Sequence, residues 1–196
     1  MSVIRAFIAV DLSQEIHQHL DHLIRQLKKR LPGKPIRWVP SKNIHLTIKF
    51  LGDVSESNLE MLENIMQKEA KDFSPFEISV GELGAFPSMR RPRVVWVGVE
   101  TPSELIGFHR SIESETSRLG YPPEKRAYSP HLTIGRISRN ASSKDVYEIG
   151  EVLCKCKVGF MGATRIAKVH LYRSDLKPGG AIYTKLFSAP FIPPNQ

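Results

Sequence analysis

The sequence predicts an α+β protein. Four segments with apolar residues at helical spacing are mixed with nine strand-like runs rich in β-branched residues. Some runs are joined by turns too short to hold a crossover helix, such as 84–92, so those strands are expected to pair antiparallel. With 196 residues, 41% hydrophobic and 24% charged, the chain can bury a core and does not fit a disordered class.

Each helix is predicted from an apolar stripe that follows a residue able to cap a helix N-terminus. The third is the best signalled, because Thr101 and Glu104 form a capping box and Pro102 takes the first helical position. The four helices are expected to start after Ser13, near Ser55, at Thr101 and near Ser142. The strands are expected at 3–11, 36–39, 44–51, 76–83, 93–99, 128–136, 156–160, 165–172 and 181–187.

The charge balance bears on partners and location. A net charge of +8 favours polyanions such as RNA, although a basic surplus also serves solubility. The arginine-rich turn 89–93 is open to the same two interpretations. The longest apolar run, 94–99, is too short to span a membrane, and the N-terminal segment lacks a signal-peptide pattern. We therefore expect no membrane association and a cytoplasmic location.

The cysteines and clustered histidines predict neither a disulfide framework nor a metal site. Cys154 and Cys156 are the only cysteines, and on a strand-like segment they would share one face. No second cysteine pair is present to complete a zinc site. His17, His19 and His22 fall on different faces of the first predicted helix, which is typical of a solvated surface.

A tetrapeptide repeat is the most informative feature. The sequence H-L-T-I occurs at 45–48 and again at 131–134, so the two histidines are 131 − 45 = 86 residues apart. That spacing is close to half the chain, which favours two similar lobes related by a pseudo-twofold axis over a short-period solenoid.

The repeated motif suits phosphoryl chemistry. In an extended strand His45 and Thr47 share one face, and His131 and Thr133 share another, so four polar groups can meet in one cleft. Imidazole titrates near neutrality, so one histidine can act as base and the other as acid without a metal. The threonine hydroxyls can donate hydrogen bonds to phosphate oxygens.

The two motifs in context, N-I-H-L-T-I-K-F-L-G at 43–52 and S-P-H-L-T-I-G-R at 129–136, resemble the paired motifs of the two-histidine phosphoesterase superfamily. The branch that they resemble is the RNA 2',3'-cyclic phosphodiesterases, also called 2'-5' RNA ligase-like or LigT-like proteins. The segments R-A-F-I-A-V-D-L at 5–12 and R-W-V-P at 37–40 fit the same family. The resemblance implies one bilobal domain over 1–196, with an antiparallel sheet and helices in each lobe and a central cleft.

The resemblance also implies an activity and a set of roles. The activity is metal-independent opening of a terminal 2',3'-cyclic phosphate of RNA to a 2'-phosphate, without a cofactor or an obligate protein partner. His45 would be the general acid that protonates the departing O3', and His131 would be the base that activates water. The implied substrate-binding residues are Thr47, Thr133 and Arg136 at the phosphate and Phe50 at the terminal nucleoside.

Strict strand alternation conflicts with two of these roles. It places Arg136 and Phe50 on the face opposite the histidines. A bulge at Gly135 would remove the conflict in the second motif, whereas the first motif has Lys49 at that position. Geometry alone makes Lys49, on the histidine face, a candidate phosphate contact.

Two alternatives to hydrolysis remain open from the sequence. ATP-independent 2'-5' RNA ligation would use the same site, because it reverses transesterification. A non-catalytic module that binds RNA ends would use the positive cleft alone, and its binding would survive loss of both histidines.

Overall fold

The computed structural model describes residues 2–178 and 180–192. Within them, nine strands and four α-helices form an α+β fold, which confirms the predicted class. Their order is β1 (Val3–Val10), α1 (Gln14–Arg30), β2 (Ile36–Trp38), β3 (Leu46–Ser55), α2 (Leu59–Ala70), β4 (Phe76–Phe86), β5 (Val94–Val99), α3 (Ser103–Arg118), β6 (His131–Ile137), α4 (Ser143–Cys154), β7 (Phe160–Ile166), β8 (Lys168–Lys177) and β9 (Gly180–Pro190). Short 3₁₀ turns at Ser41–Asn43 and Glu56–Asn58 precede β3 and α2.

The strands form two antiparallel sheets, one for each motif. The four-stranded sheet has the order β3-β1-β8-β9 and contains the first motif in β3. The five-stranded sheet has the order β2-β6-β5-β4-β7 and contains the second motif in β6. Strands β4 and β5 pair antiparallel across the predicted short turn, as expected. The two sheets correspond to the two lobes that the repeat predicts.

The two halves of the sequence exchange strands between the sheets. Strand β4 lies in the first half of the chain, yet it pairs with β5 and β7 in the sheet of the second motif. Strands β8 and β9 come from the second half, and β8 pairs with β1 in the sheet of the first motif. Only Ala167 separates β7 from β8, so the chain passes from one sheet to the other through a single residue.

The helices pack their apolar stripes against the sheets in one continuous core. The Ser13 hydroxyl caps α1 by accepting a hydrogen bond from the Ile16 amide at 3.3 Å. The Ser142 hydroxyl caps α4 in the same way by accepting a hydrogen bond from the Asp145 amide at 3.0 Å. No helix in the described part of the chain is long and apolar enough to cross a bilayer. The buried residues of α1 are Ile16, Leu20, Leu23, Ile24 and Leu27.

The predicted capping box of the third helix is wrong. Helix α3 begins at Ser103, and Pro102 occupies the N-cap position with no side-chain cap. The Glu104 carboxylate instead accepts a hydrogen bond from the Ser103 hydroxyl at 3.0 Å. Pro102 is therefore the last residue before the helix and not its first residue, as the sequence predicted.

The strand predicted at 156–160 is also wrong. Helix α4 continues to Cys154, and β7 starts only at Phe160. The cysteines therefore do not share a strand face: Cys154 is exposed at the helix end, Cys156 is half-buried in the following loop, and both are free thiols.

Candidate active site

A cleft of about 900 Å³ is lined by residues from both sheets and receives both repeated motifs. Its size is that of a small-molecule or nucleotide site. The motif residues that line it are His45, Thr47 and Phe50 from the first copy and His131, Thr133 and Arg136 from the second.

Both motif strands contain a β-bulge at the same motif position. In β3, Thr47 pairs with Ala9 and Lys49 with Ile8, so Ile48 is left unpaired. In β6, Thr133 pairs with Trp96 and Gly135 with Val95, so Ile134 is left unpaired. Each bulge shifts the alternation by one residue, which places residues five positions after each histidine on the cleft side. The conflict between strand alternation and the positions of Phe50 and Arg136 is therefore resolved in both motifs.

Lys49 is turned away from the cleft by the first bulge, so its prediction as a phosphate contact is wrong. Its side chain is fully buried. The Nζ donates to the Glu113 carboxylate at 2.8 Å and to the Pro122 carbonyl at 3.1 Å. Glu113 also accepts a hydrogen bond from the Glu124 amide at 3.2 Å. Lys49 thus ties β3 to α3 and to the loop that leads into the second motif.

The ring of His131 is held by a carbonyl and by two aromatic side chains. Its Nδ1 lies 2.7 Å from the carbonyl oxygen of Ser129. Because a carbonyl can only accept, Nδ1 carries the proton and Nε2 of the neutral ring has a free lone pair. Phe86 contacts the ring edge-to-face with centroids 5.0 Å apart, and Trp96 lies at 6.2 Å. The second motif therefore presents an oriented histidine whose Nε2 can accept a proton.

His45 is held in a matching way but is more enclosed. The backbone of Asn43, two residues earlier, favours the charged form of the ring from the position that Ser129 has relative to His131. Phe7 stacks on the ring at 4.6 Å, and Tyr183 meets it edge-to-face at 5.1 Å. Burial among these rings lowers the pKa of His45 to about 4, although the Asn43 hydrogen bond opposes the shift. His45 is therefore neutral at pH 7 in the free protein.

The loop before the second motif adds side chains to the cleft. Tyr128 stacks on His109 with centroids 3.7 Å apart, and its hydroxyl donates to the Thr47 carbonyl at 3.2 Å. Burial raises the pKa of the Tyr128 hydroxyl, so this group stays protonated. Arg126 and Glu124 also line the cleft. Tyr128 therefore links the second motif's loop to the first motif's strand.

Tyr128 and Tyr183 both line the cleft. The sequence patterns did not identify Phe86, which comes from β4 and packs on His131. Of the arginine-rich turn, Arg93 lines the cleft, and its guanidinium donates to the Ser138 carbonyl at 3.2 Å. Within residues 2–178 and 180–192, no three His, Cys, Asp or Glu side chains form a group that could hold a metal ion.

Comparison with protein families gives two consecutive matches to one model. The model describes LigT-like phosphoesterases, and it matches residues 10–96 and 97–183. Each match contains one of the H-L-T-I motifs. The repeat found in the sequence is therefore a repeat of the family domain.

Two relatives of known name align along nearly the whole chain. The RNA 2',3'-cyclic phosphodiesterase of Methanothermobacter thermautotrophicus is 38% identical over 183 residues, which covers 93% of this chain and 96% of the relative. The RNA 2',3'-cyclic phosphodiesterase of Aquifex aeolicus is 32% identical over 187 residues, covering 94% and 95%.

Solved structures have the same fold. Escherichia coli LigT complexed with 3'-AMP superposes with a TM-score of 0.75 at 26% identity, covering 97% of this chain and 99% of that one. A protein of Thermus thermophilus superposes with a TM-score of 0.79 at 24% identity, covering 96% and 98%. The likeness extends over both sheets.

Proposed function

Because the chain belongs to the family of LigT-like phosphoesterases, we propose that it is an RNA 2',3'-cyclic phosphodiesterase. The reaction is hydrolysis of the terminal cyclic phosphate to a 2'-phosphate, by paired-histidine acid–base catalysis. The observation that carries the proposal is the convergence of both H-x-T motifs on one cleft. Its relatives of that name align over more than 90% of the chain.

In the proposed mechanism, His131 is the general base. Its Nε2 takes a proton from a water molecule as the water oxygen attacks phosphorus. The carbonyl of Ser129 supports this role, because it holds the proton on Nδ1 and stabilises the imidazolium that forms. The new P–O bond forms as the P–O3' bond breaks.

His45 is the general acid in this proposal. It gives a proton to O3' as the ring of the cyclic phosphate opens, which leaves the phosphate on O2'. Since His45 is neutral at pH 7 in the free protein, it has to gain its proton when the anionic substrate binds. A phosphate next to the ring favours the charged form and raises its pKa.

The other cleft residues bind the substrate in this proposal. The hydroxyls of Thr47 and Thr133 donate to the non-bridging oxygens, where negative charge increases during the displacement. Arg136 adds a charged contact to the phosphate. Phe50, which is 56% exposed, offers a free aromatic face to the terminal base.

The test is incubation with a short RNA that ends in a 2',3'-cyclic phosphate, in excess EDTA, with the product identified by mass spectrometry and phosphatase mapping. We expect a 2'-phosphate, and a loss of about 10² to 10⁴ in kcat for His45→Ala and for His131→Ala. His22→Ala is the matched control, because His22 is exposed on α1 and does not line the cleft.

Two results would contradict the proposal. A 3'-phosphate product would show that O2' departs, and turnover that survives both cleft variants would remove the histidines from the chemistry. An added strand with a 5'-hydroxyl reports ligation in the same assay. RNA binding that persists in both variants without any turnover in the wild type would favour a binding module.

We also propose a cytoplasmic location and RNA as the partner. Free thiols at Cys154 and Cys156 are usual in a reducing compartment. The net charge of +8 suits an RNA substrate. Cell fractionation, followed by detection of the protein in each fraction with an antibody, would test the location.

A further inference from the structure

The edge of the five-stranded sheet carries two arginines directly opposite each other. In the pairing of β2 with β6, Arg37 faces Arg136. Like charges at directly opposed positions destabilise a sheet. The same sheet has the opposite arrangement at its other edge, where Glu77 faces Arg165. An opposed arginine pair is therefore a cost to the fold that binding of an anion would remove.

Neither arginine is neutralised by the described part of the protein. Within residues 2–178 and 180–192, no carboxylate lies within 4.0 Å of Arg37 or Arg136. Lys34 lies near them, but its ammonium is already paired with Asp145 at 2.9 Å and with Glu148. The two arginines therefore carry free positive charge at this edge.

A second cavity, here called the exit groove, continues from the cleft past this pair. It has a volume of about 570 Å³ and is lined by 34–37 and 136–138. Arg136 lines both cavities, so the exit groove adjoins the cleft. Arg93 lines the cleft and donates to the carbonyl of Ser138, a residue of the exit groove, at 3.2 Å.

The side chain of Arg37 lies on the same face of the sheet as that of Arg136, because directly opposed residues of paired strands project to one face. Trp38, the next residue, faces the other way and covers Gly135, where a Cβ would lie 3.0 Å from its ring. The pKa of the Tyr183 hydroxyl, which lines the cleft, is raised by burial and lowered in part by the charges of Arg136 and Arg37. Arg37 itself is exposed, so its guanidinium is accessible to a ligand.

We propose that Arg37 binds the internucleotide phosphate on the 5' side of the terminal nucleotide, beside the reacting phosphate that Arg136 contacts, so that the RNA strand leaves the cleft through the exit groove. The inference rests on the proposed function and adds a preference for oligonucleotide ends over single cyclic nucleotides. Arg37 lies directly across the strand pair from Arg136, so an anion that Arg37 binds lies next to the phosphate that Arg136 contacts. The neighbouring phosphate of a bound RNA strand is the anion that lies there.

The test uses two dinucleotides with 2',3'-cyclic phosphate ends that differ only in the internal linkage. One has a normal phosphodiester, and the other has an uncharged methylphosphonate. In the wild type, kcat/KM should be about tenfold higher for the phosphodiester, the loss expected for one charge-assisted hydrogen bond. In Arg37→Ala that ratio should fall below about twofold. The salt dependence of binding should weaken by about 0.7 in log–log slope.

Two controls make the result specific. Arg110→Ala, an exposed arginine on α3 that lines neither cavity, should keep the tenfold ratio. Arg37→Ala should unfold at the temperature of the wild type or above it, because an opposed like charge is removed. Fluorescence anisotropy of both dinucleotides on a His45→Ala/His131→Ala background measures the same preference without turnover.

Three outcomes separate this inference from the proposed function. A ratio near one in the wild type, or a ratio unaffected by Arg37→Ala, would overturn the exit groove while hydrolysis stands. Loss of the ratio in Arg126→Ala instead would place the strand over the loop before β6 and would also overturn it. Absence of turnover on both dinucleotides would refute the proposed function, and the anisotropy preference would still decide the role of Arg37.

Discussion

Substrate binding should be accompanied by proton uptake at His45. With a pKa of about 4, His45 is protonated in only about one molecule in a thousand at pH 7 before RNA binds. General acid catalysis needs this proton in place. A single phosphate charge about 4 Å from the ring, at an effective dielectric constant of about 20, favours the imidazolium by about 4 kcal/mol.

That energy corresponds to a rise of about three units, which brings the pKa of the bound state to about 7. The expected uptake is then about 0.9 proton per bound RNA end at pH 6, about 0.5 at pH 7 and about 0.1 at pH 8. The fall with pH follows from the sign of the shift: above pH 7 the bound ring also loses its proton, so nothing is taken up.

Isothermal titration calorimetry in buffers of different ionisation enthalpy measures this number directly. The His131→Ala variant allows binding of the intact cyclic phosphate, a diester that does not itself titrate near neutrality. The same titration with His45→Ala/His131→Ala is the control and should show the uptake abolished. Equal uptake in both proteins would assign the proton to another group, and no uptake in His131→Ala would refute His45 as the acid.

Three further predictions concern stability. Glu113→Leu should lower the free energy of unfolding by about 3 to 5 kcal/mol, because it leaves the buried Lys49 charge uncompensated, and addition of Lys49→Met should recover most of the loss in urea titrations. Gly84→Ala should cost about 1 to 3 kcal/mol by the same method, since a Cβ there would lie 2.1 Å from the Trp96 ring; a midpoint equal to wild type would refute this packing. His45 should contribute about 3 kcal/mol to the fall in the free energy of unfolding between pH 6.5 and pH 4, because the unfolded chain takes up this proton first, and a His45→Asn variant whose pH dependence matched wild type would contradict that assignment.

The sequence predicts the elements of the site better than their arrangement. The motif strands, the first and last helices and the convergence of His45 and His131 follow from periodicity and from the repeat. The bulge in the first motif does not, because Lys49 stands where the second motif has glycine and no local signal marks the extra residue. The outcome for Lys49 depends on Glu113, which is 64 residues away along the chain.

Contacts between the halves also lie beyond local patterns. Phe86 reaches His131 because β4 joins the sheet of the second motif, and Tyr128 reaches the Thr47 carbonyl across the cleft. Each depends on which strands become neighbours. A half-chain repeat suggests two self-contained lobes, and nothing in its spacing indicates that strands are exchanged.

The exchange of strands between the two sheets bears on how the protein loses its active site when it unfolds. Since each sheet contains chain from both halves, neither histidine can keep its surroundings when the other half melts. We propose that residues 1–196 behave as one cooperative unit, with activity and tertiary structure disappearing along a single denaturation curve. The single residue Ala167 joins β7 of one sheet directly to β8 of the other. On this proposal, the distance between His45 and His131 depends on the backbone of both halves of the chain.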